Sequence, residues 1–223
     1  KSIIHIIIHI RNYFRYRNFF ILIRKKVFMI TIVAFLSRPH GYNALCGMIN
    51  EPNYKILKVF THKLKPKSED PNRKERDDYH LFVEKCNENK IPLEAIDSKL
   101  QPITEVPDCD FIVEISWRYL ILEDIVKKTS ILAFGVHRGK LPEYAGVEPI
   151  KHALNNNEKE IILSAHHLEE KIDVGGTIST ISHPVNYNKS NTLEENIQRL
   201  REEITPLFTD IVKNTIKKHV EKE

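Results

Sequence analysis

Short apolar runs alternate with segments of helical periodicity from Met29 to the end of the chain. Runs with the length and composition of buried strands cover residues 29–36, 55–60, 91–96, 110–116, 130–136, 160–168 and 176–185. Strands that alternate with helices favour a parallel sheet, because each parallel crossover needs a helix to bring the chain back. The pattern predicts the α/β class: a Rossmann-like, mostly parallel sheet with helices on both faces, whose last two strands are close enough to pair.

The segments between the runs predict helices over 44–48, from Tyr79 onward, over 119–128 and over 147–156, with a loop over 37–43. Thr192 and Glu195 have the spacing of a capping box at the start of a last helical region. Beyond them, one apolar stripe recurs every three or four residues, which predicts a helix facing the core. Pro206 must kink this region or begin a second helix there.

Composition divides the chain near residue 28. Residues 1–28 carry seven Lys or Arg and no acidic residue, and without them the formal net charge falls from +4 to −3. We predict a basic, apolar N-terminal extension over 1–28 and one domain over 29–223. The extension either precedes a functional start at Met29 or forms a basic amphipathic anchor at a membrane surface. Its arginines interrupt the apolar run, which argues against a transmembrane helix.

Several functional classes lack their sequence signatures. The slightly acidic charge of 29–223 disfavours nonspecific nucleic-acid binding. Cys46, Cys86 and Cys109 are widely spaced and form no CxxC pair, which disfavours a disulfide scaffold or zinc site and favours the reducing cytoplasm. The chain has no GxGxxG or GxSxG motif, and the segment 135–141 lacks the spacing and hydroxyl of a phosphate-binding P-loop.

Two segments place polar residues where a site is expected in such a sheet. Ligands bind beyond the carboxyl ends of parallel strands, here the loops after Leu36, Phe60, Ile115 and Val136. His137 directly follows one of these strands and precedes the turn Leu141-Pro142. In the second segment, a strand ending in His166-His167 leads to Asp173 and then to Gly175-Gly176.

These motifs resemble the formyltransferase family, which includes glycinamide ribonucleotide, methionyl-tRNA and sugar-amine formyltransferases. The family pattern is Asn-x-His, a short loop closing in Leu-Pro, a Gly-x-x-Pro helix start and, later, a His-x₆-Asp-x-Gly loop. The chain matches it with Gly135-x-His137, Gly139-Lys140-Leu141-Pro142, Gly146-x-x-Pro149, and His166 with Asp173 and Gly175. The resemblance covers residues 29–200 in organisation and is specific over 130–178.

The resemblance implies an enzyme that moves a formyl group from 10-formyltetrahydrofolate to an amine, without a metal. It implies that His137 is the general acid that also stabilises the developing oxyanion, and that Asp173 raises the pKa of His137 and helps remove the amine proton. Trp117 fits either a folate contact or a core aromatic, and His166 fits a pocket-lining role better than a catalytic one. The implied folate contacts are Trp117, Arg118, Tyr119, Leu120, Gly139, Lys140, Leu141, Pro142 and His166.

Gly135 departs from the family pattern, which has asparagine at this position. That asparagine resembles an oxyanion-hole donor, and loss of one such donor costs on the order of 10²–10³ in rate. Either another donor replaces it, with Arg138 and the Gly135 backbone N–H as candidates, or the activity is weak, altered or lost. Arg138 should point away from His137 if the strand geometry continues.

The acceptor amine is narrowed by comparison with the family's branches. The loop at 37–43 lacks the glycine-serine-asparagine sequence that binds phosphate in the purine enzymes, and the chain ends where the tRNA enzymes begin a basic carboxy-terminal domain. We therefore expect a small-molecule amine, such as an amino sugar. The alternatives are a folate- or ligand-binding descendant without catalysis, a methionyl-tRNA formyltransferase-like domain, and an RNA-associated protein that uses residues 1–28.

Overall fold

The computed structural model describes residues 28–169 and 175–221. Within them, one sheet has the order β3-β2-β1-β4-β5-β6-β7. Its strands are β1 Ile30–Leu36, β2 Tyr54–Thr61, β3 Leu93–Ala95, β4 Cys109–Ile115, β5 Thr129–His137, β6 Glu160–His167 and β7 Thr177–Pro184. Strands β1 to β5 run parallel, whereas β6 is antiparallel to both β5 and β7. The predicted mostly parallel α/β sheet is confirmed, as is the pairing of the last two strands. Asp173 and all of the N-terminal extension except Phe28 lie outside the described residues.

The helices are α1 Arg38–Ile49, α2 Tyr79–Glu88, α3 Glu123–Val126, α4 Pro149–Asn155, α5 Leu193–Ile204 and α6 Leu207–Val220. The loop predicted over 37–43 is wrong, because the helix begins at Arg38 rather than at Ala44. Ser37 is extended and precedes a first turn that contains Pro39, where the missing N–H of proline costs nothing.

The helix predicted over 119–128 shrinks to α3. Two amides just before it are bonded to side chains: Trp117 N–H donates to Glu114 Oε1 at 2.7 Å, and Arg118 N–H donates to His62 Nε2 at 3.1 Å. These contacts hold 117–119 in a loop, so the apolar spacing there reflects packing on the sheet rather than a helix.

The C-terminal predictions hold. Glu195 N–H donates to Thr192 Oγ1 at 3.2 Å, and Thr192 N–H donates to Glu195 Oε2 at 2.7 Å, which completes the capping box. Pro206 stands directly before α6 and so separates two helices. Ile197 and Ile211, from the predicted stripe, are buried in the core. No helix within the described ranges has the length and apolar content that crossing a membrane requires.

The two faces of the sheet are covered differently. One face packs against α1, α2, α4, α5 and α6 and includes Phe111, Phe134 and Val136. The opposite face carries a smaller apolar cluster, which includes Phe35 and Trp117 and is covered by α3 and by loops. The second face therefore leaves room for polar groups near the carboxyl ends of the strands, and we call it the loop-covered face.

Candidate functional site

His137 is the last residue of β5 and is half-buried. Its Nε2–H donates to the carbonyl oxygen of Tyr144 at 2.7 Å, and Tyr144 N–H donates to the carbonyl oxygen of Lys140 at 2.7 Å. A carbonyl oxygen only accepts, so this bond requires a proton on Nε2. The loop after β5 thus folds back onto the imidazole and fixes both its orientation and the position of one proton.

Ser164 of β6 anchors that loop. Its hydroxyl donates to the carbonyl oxygen of Gly139 at 2.9 Å and accepts the Leu141 N–H at 3.3 Å. Leu141 is buried and is joined to exposed Pro142 by a cis peptide bond. Lys140 is exposed and pairs with Glu143 at 2.8 Å. Of the contacts predicted here, Lys140 and Pro142 face solvent, whereas Gly139 and Leu141 are buried.

The loop after β4 is fixed by an aromatic cluster. The Trp117 ring stacks on His62 with centroids 4.2 Å apart and meets Phe35 edge-on at 5.1 Å. Tyr119 meets the His62 ring edge-on at 5.2 Å. Trp117 is therefore a core aromatic of the loop-covered face, and Leu120, 38% exposed, is the predicted contact in this loop that presents apolar surface.

His62 belongs to this cluster, although the sequence analysis did not single it out. It follows β2 directly, and its Nδ1–H donates to the carbonyl oxygen of Ile96 while Nε2 accepts the Arg118 N–H. Burial, more than any other cause, lowers the pKa of His62 to about 3. The imidazole is thus neutral at physiological pH and serves to position the loop. Its place after Phe60-Thr61, at a strand's carboxyl end, was the available signal.

A cross-strand row runs over the loop-covered face next to His137. Gly135 of β5 lies opposite Glu114 of β4 on one side and opposite His166 of β6 on the other. A Cβ atom added to Gly135 would lie 2.7 Å from Glu114 Oε2 and 2.8 Å from His166 Nε2. The two polar side chains therefore occupy the space directly above Gly135, where any larger residue would have its side chain.

Arginine side chains gather where β1, β2 and β4 end. Arg76 is 3% exposed, and its Nη1 donates to Ser37 Oγ and, at 2.7 Å, to the His62 carbonyl oxygen. Arg76 Nε pairs with Asp78 at 2.8 Å, but Arg76 Nη2 and both terminal nitrogens of Arg118 have no hydrogen-bond partner among the described residues. Burial, and then the charges of Arg38 and Arg76, lower the pKa of Arg118 to about 10. This end of the sheet is positively charged and can attract an anion.

Neither donor suggested for the missing asparagine is well placed. The charge of Arg138 helps to lower the pKa of His40, after the larger effect of burial, and the His40 ring packs 4.6 Å from Phe208 of α6. Arg138 thus lies towards the helix-covered face, away from His137, as the strand geometry predicts. Gly135 lies between two paired strands, so its backbone N–H lies in the plane of the sheet.

Asp173 lies outside the described residues, so its place relative to His137 stays a prediction. The described residues that flank its loop are close together, because His167 N–H donates to the carbonyl oxygen of Gly176 at 3.1 Å. Within 28–169 and 175–221, no group of three or more His, Cys, Asp or Glu side chains is arranged to bind a metal ion.

Comparison with known proteins adds a family match and related sequences. A family model described as "Formyl transferase" matches residues 31–211. The bifunctional polymyxin resistance protein ArnA of Wigglesworthia glossinidia brevipalpis is 30% identical over 162 residues, covering 68% of this chain and 23% of the relative. Methionyl-tRNA formyltransferase of Lactobacillus delbrueckii subsp. bulgaricus is 28% identical over 196 residues, covering 83% of this chain and 57% of the relative. The chain spans less than two thirds of the length of either relative.

Solved structures share the fold at lower identity. Glycinamide ribonucleotide transformylase 1 from Symbiobacterium toebii superposes with a TM-score of 0.61 at 18% identity, covering 84% of this chain and 86% of that structure. WlaRD, a sugar 3N-formyl transferase solved in the presence of dTDP and 5-N-formyl-THF, gives a TM-score of 0.58 at 20% identity, covering 86% and 64%. These matches support the fold described above.

Proposed function

Because the chain belongs to the formyl transferase family, we propose that it transfers a formyl group from 10-formyltetrahydrofolate to the primary amine of a small molecule. The observation that carries the proposal is the arrangement at the end of β5, where the loop through Leu141-Pro142 holds His137 by its Nε2–H. That residue lies on the loop-covered face, two positions from the row of Glu114, Gly135 and His166. Acid–base groups therefore converge at the edge of the sheet where ligands bind in α/β folds.

His137 has two roles in the proposed reaction. The amine nitrogen attacks the formyl carbon, so negative charge develops on the formyl oxygen, and a protonated imidazole beside it stabilises that charge. The bond from folate nitrogen to the formyl carbon then breaks, and His137 gives that nitrogen a proton. Asp173 takes the proton that the attacking amine loses. This role for Asp173 rests on its spacing from His166 in the family pattern.

Two loops are proposed to hold the formyl donor. The loop over 117–120 is rigid because the aromatic cluster and the amide bonds to Glu114 and His62 fix it, and Leu120 offers apolar surface. The loop over 139–142 is fixed by Ser164 and places exposed Lys140 and Pro142 near His137. A planar, polar ring between two rigid loops would leave the formyl group towards the end of β5.

The arginines favour an acceptor that carries negative charge. Arg118 and Arg76 bring nitrogen atoms without hydrogen-bond partners, within the described part of the chain, to the ends of β2 and β4. An anionic group satisfies such donors better than a neutral one does. Nucleotide-linked amino sugars have this character, and a sugar formyltransferase is among the structural neighbours. Methionyl-tRNA is a second candidate acceptor, because relatives of that name align with most of this chain.

A formyl-transfer assay on the full chain tests the proposal. The assay supplies 10-formyltetrahydrofolate with nucleotide-linked amino sugars, glycinamide ribonucleotide or methionyl-tRNA, and detects the formylated amine by mass. We expect transfer to a nucleotide-linked amino sugar, which His137→Ala abolishes and His152→Ala, at an exposed position of α4, does not. Donor binding without transfer to any amine would instead identify a binding protein, and transfer confined to methionyl-tRNA would replace the small-molecule acceptor.

A further inference from the structure

We infer that Glu114 and His166 act as one hydrogen-bonding unit above Gly135 and supply the donor that stabilises the formyl oxygen beside His137. The inference rests on the proposed function and deepens it, because it names the groups that make catalysis possible without a side chain at residue 135. Glu114 was not among the residues expected from the sequence, and His166 was expected only to line the pocket.

The geometry places both side chains over the same atom. A Cβ on Gly135 would approach Glu114 Oε2 to 2.7 Å, His166 Nε2 to 2.8 Å and His166 Cε1 to 3.0 Å. Approaches below 3.0 Å are closer than van der Waals contact allows, so these two polar groups fill the volume that a side chain would need. The absence of a side chain at Gly135 is thus matched by the presence of a carboxylate and an imidazole.

Backbone contacts hold each partner in this position. Glu114 Oε1 accepts the Trp117 N–H at 2.7 Å, which leaves Oε2 directed at Gly135. His166 is 3% exposed, and its Nδ1–H donates to the carbonyl oxygen of His167 at 3.0 Å. Each side chain therefore uses one polar atom as an anchor and presents the other above Gly135.

These anchors decide where the protons are. The carbonyl of His167 requires a proton on Nδ1 of His166, so a neutral imidazole would present a bare Nε2. A bare nitrogen beside a carboxylate oxygen would place two acceptors together, which is unfavourable unless a proton lies on one of them. Either His166 is an imidazolium or Glu114 is protonated, and in both states the unit carries an N–H or O–H donor.

The unit is also on the correct side of the sheet. Gly135 and His137 are two residues apart in β5, so both face away from the helix-covered core that contains Phe134 and Val136. Two strand residues span about 6.6 Å, which fits a formyl oxygen between His137 and the unit. Arg138 and the Gly135 N–H point elsewhere, which leaves Glu114 and His166 as the nearest donors on this face.

The test is a sign reversal at residue 135. In the otherwise unchanged chain, Gly135→Asn should lower kcat, because the new side chain collides with Glu114 and His166. The double variant Glu114→Val/His166→Ala should lower kcat by on the order of 10²–10³, with KM for 10-formyltetrahydrofolate little changed. Adding Gly135→Asn to that double variant should then raise kcat about tenfold, because the amide regains both space and a role.

Controls separate this inference from the proposed function. His167→Ala, the adjacent exposed histidine of β6, should leave kcat unchanged. If the chain transfers formyl groups and loses activity with His137→Ala, but Glu114→Val/His166→Ala keeps its rate or Gly135→Asn lowers kcat in both backgrounds, only the inference fails. If the unchanged chain transfers to no amine, both fail.

Thermal melting decides whether each variant is folded. Should the double variant unfold, the near-isosteric changes Glu114→Gln and His166→Gln take its place. The inference then expects kcat to fall about tenfold or more in at least one of them, at constant KM, because the position and number of protons in the unit change. An unchanged kcat in both would overturn it.

Discussion

Strand β5 has two faces with opposite compositions. Towards the helices it presents Leu132, Phe134 and Val136, all buried, and towards the loops it presents Ala133, Gly135 and His137. The first set anchors the strand in the larger core, whereas the second offers little apolar contact and instead places a space and an imidazole at the end of the sheet. The comparison indicates that stability and chemistry are divided between alternate residues of one strand, so each can be changed with limited effect on the other.

The most severe test of this division is the removal of a core ring. Phe134 is fully buried, and Phe134→Ala should lower the free energy of unfolding by about 3–5 kcal/mol, from lost burial and the cavity that remains. Urea unfolding measures the effect. In the fraction that remains folded at low temperature, formyl transfer should persist, because the ring faces away from His137.

A matched control for the ring is Phe28, which is 69% exposed. Phe28→Ala should leave the free energy of unfolding within about 0.5 kcal/mol of that of the unchanged chain. A similar loss in both variants would mean that burial under the helices is not what holds β5. Loss of transfer in folded Phe134→Ala protein would show that the two faces are not independent.

The same division explains what could be predicted from the sequence. Buried strands announce themselves as apolar runs, so the strands and their mostly parallel order follow from local pattern. Helix α1 was missed at its start because Pro39 and Gly41 are poor helix formers in isolation, although a first turn accepts proline. The 119–128 segment was misjudged because side chains from β2 and β4 bind its leading amides.

The site divides in a corresponding way. His137 and its Leu141-Pro142 loop are contiguous in sequence, so a motif could locate them. Glu114 acquires its position only through strand register, which sets it opposite Gly135. Arg76 sits in the middle of a charged loop and is distinguished only by its burial against Ser37 and His62. Such residues are defined by tertiary contacts between distant segments and have no local signal.

The loop-covered face should be the acid-sensitive one, because it buries the neutral His62. Its folded-state pKa of about 3 lies below the ordinary value of 6.5, so between these values the unfolded chain binds the extra proton. Stability is therefore fully present above about pH 6.5 and falls as the pH drops towards 3, with a loss of about 2 kcal/mol from this residue between pH 7 and 5. Urea unfolding at both pH values of the unchanged chain and of His62→Gln measures this contribution.

The variant loses a hydrogen-bonding ring at every pH, so the difference between the two pH values isolates the titration. His62→Gln should show a pH-dependent loss smaller by about 2 kcal/mol than the unchanged chain. Burial also lowers the pKa of His40, next to Phe208, which acts in the same direction in both proteins and cancels. Parallel losses in the two proteins would show that His62 accepts a proton while folded, and the aromatic cluster would then be looser than its contacts indicate.

The smallest effect should come from the start of α5, on the helix-covered face. Thr192→Ala removes the oxygen that accepts the Glu195 N–H, which should cost about 1 kcal/mol of unfolding free energy. Thr192→Ser keeps that oxygen and provides the control, with stability close to that of the unchanged chain. Because α5 packs on the side of the sheet opposite the row at Gly135, neither variant should change kcat in protein that remains folded. A lower kcat in Thr192→Ala at full folding would mean that the C-terminal helices contribute to the site, and the division between the faces of β5 would no longer describe the whole domain.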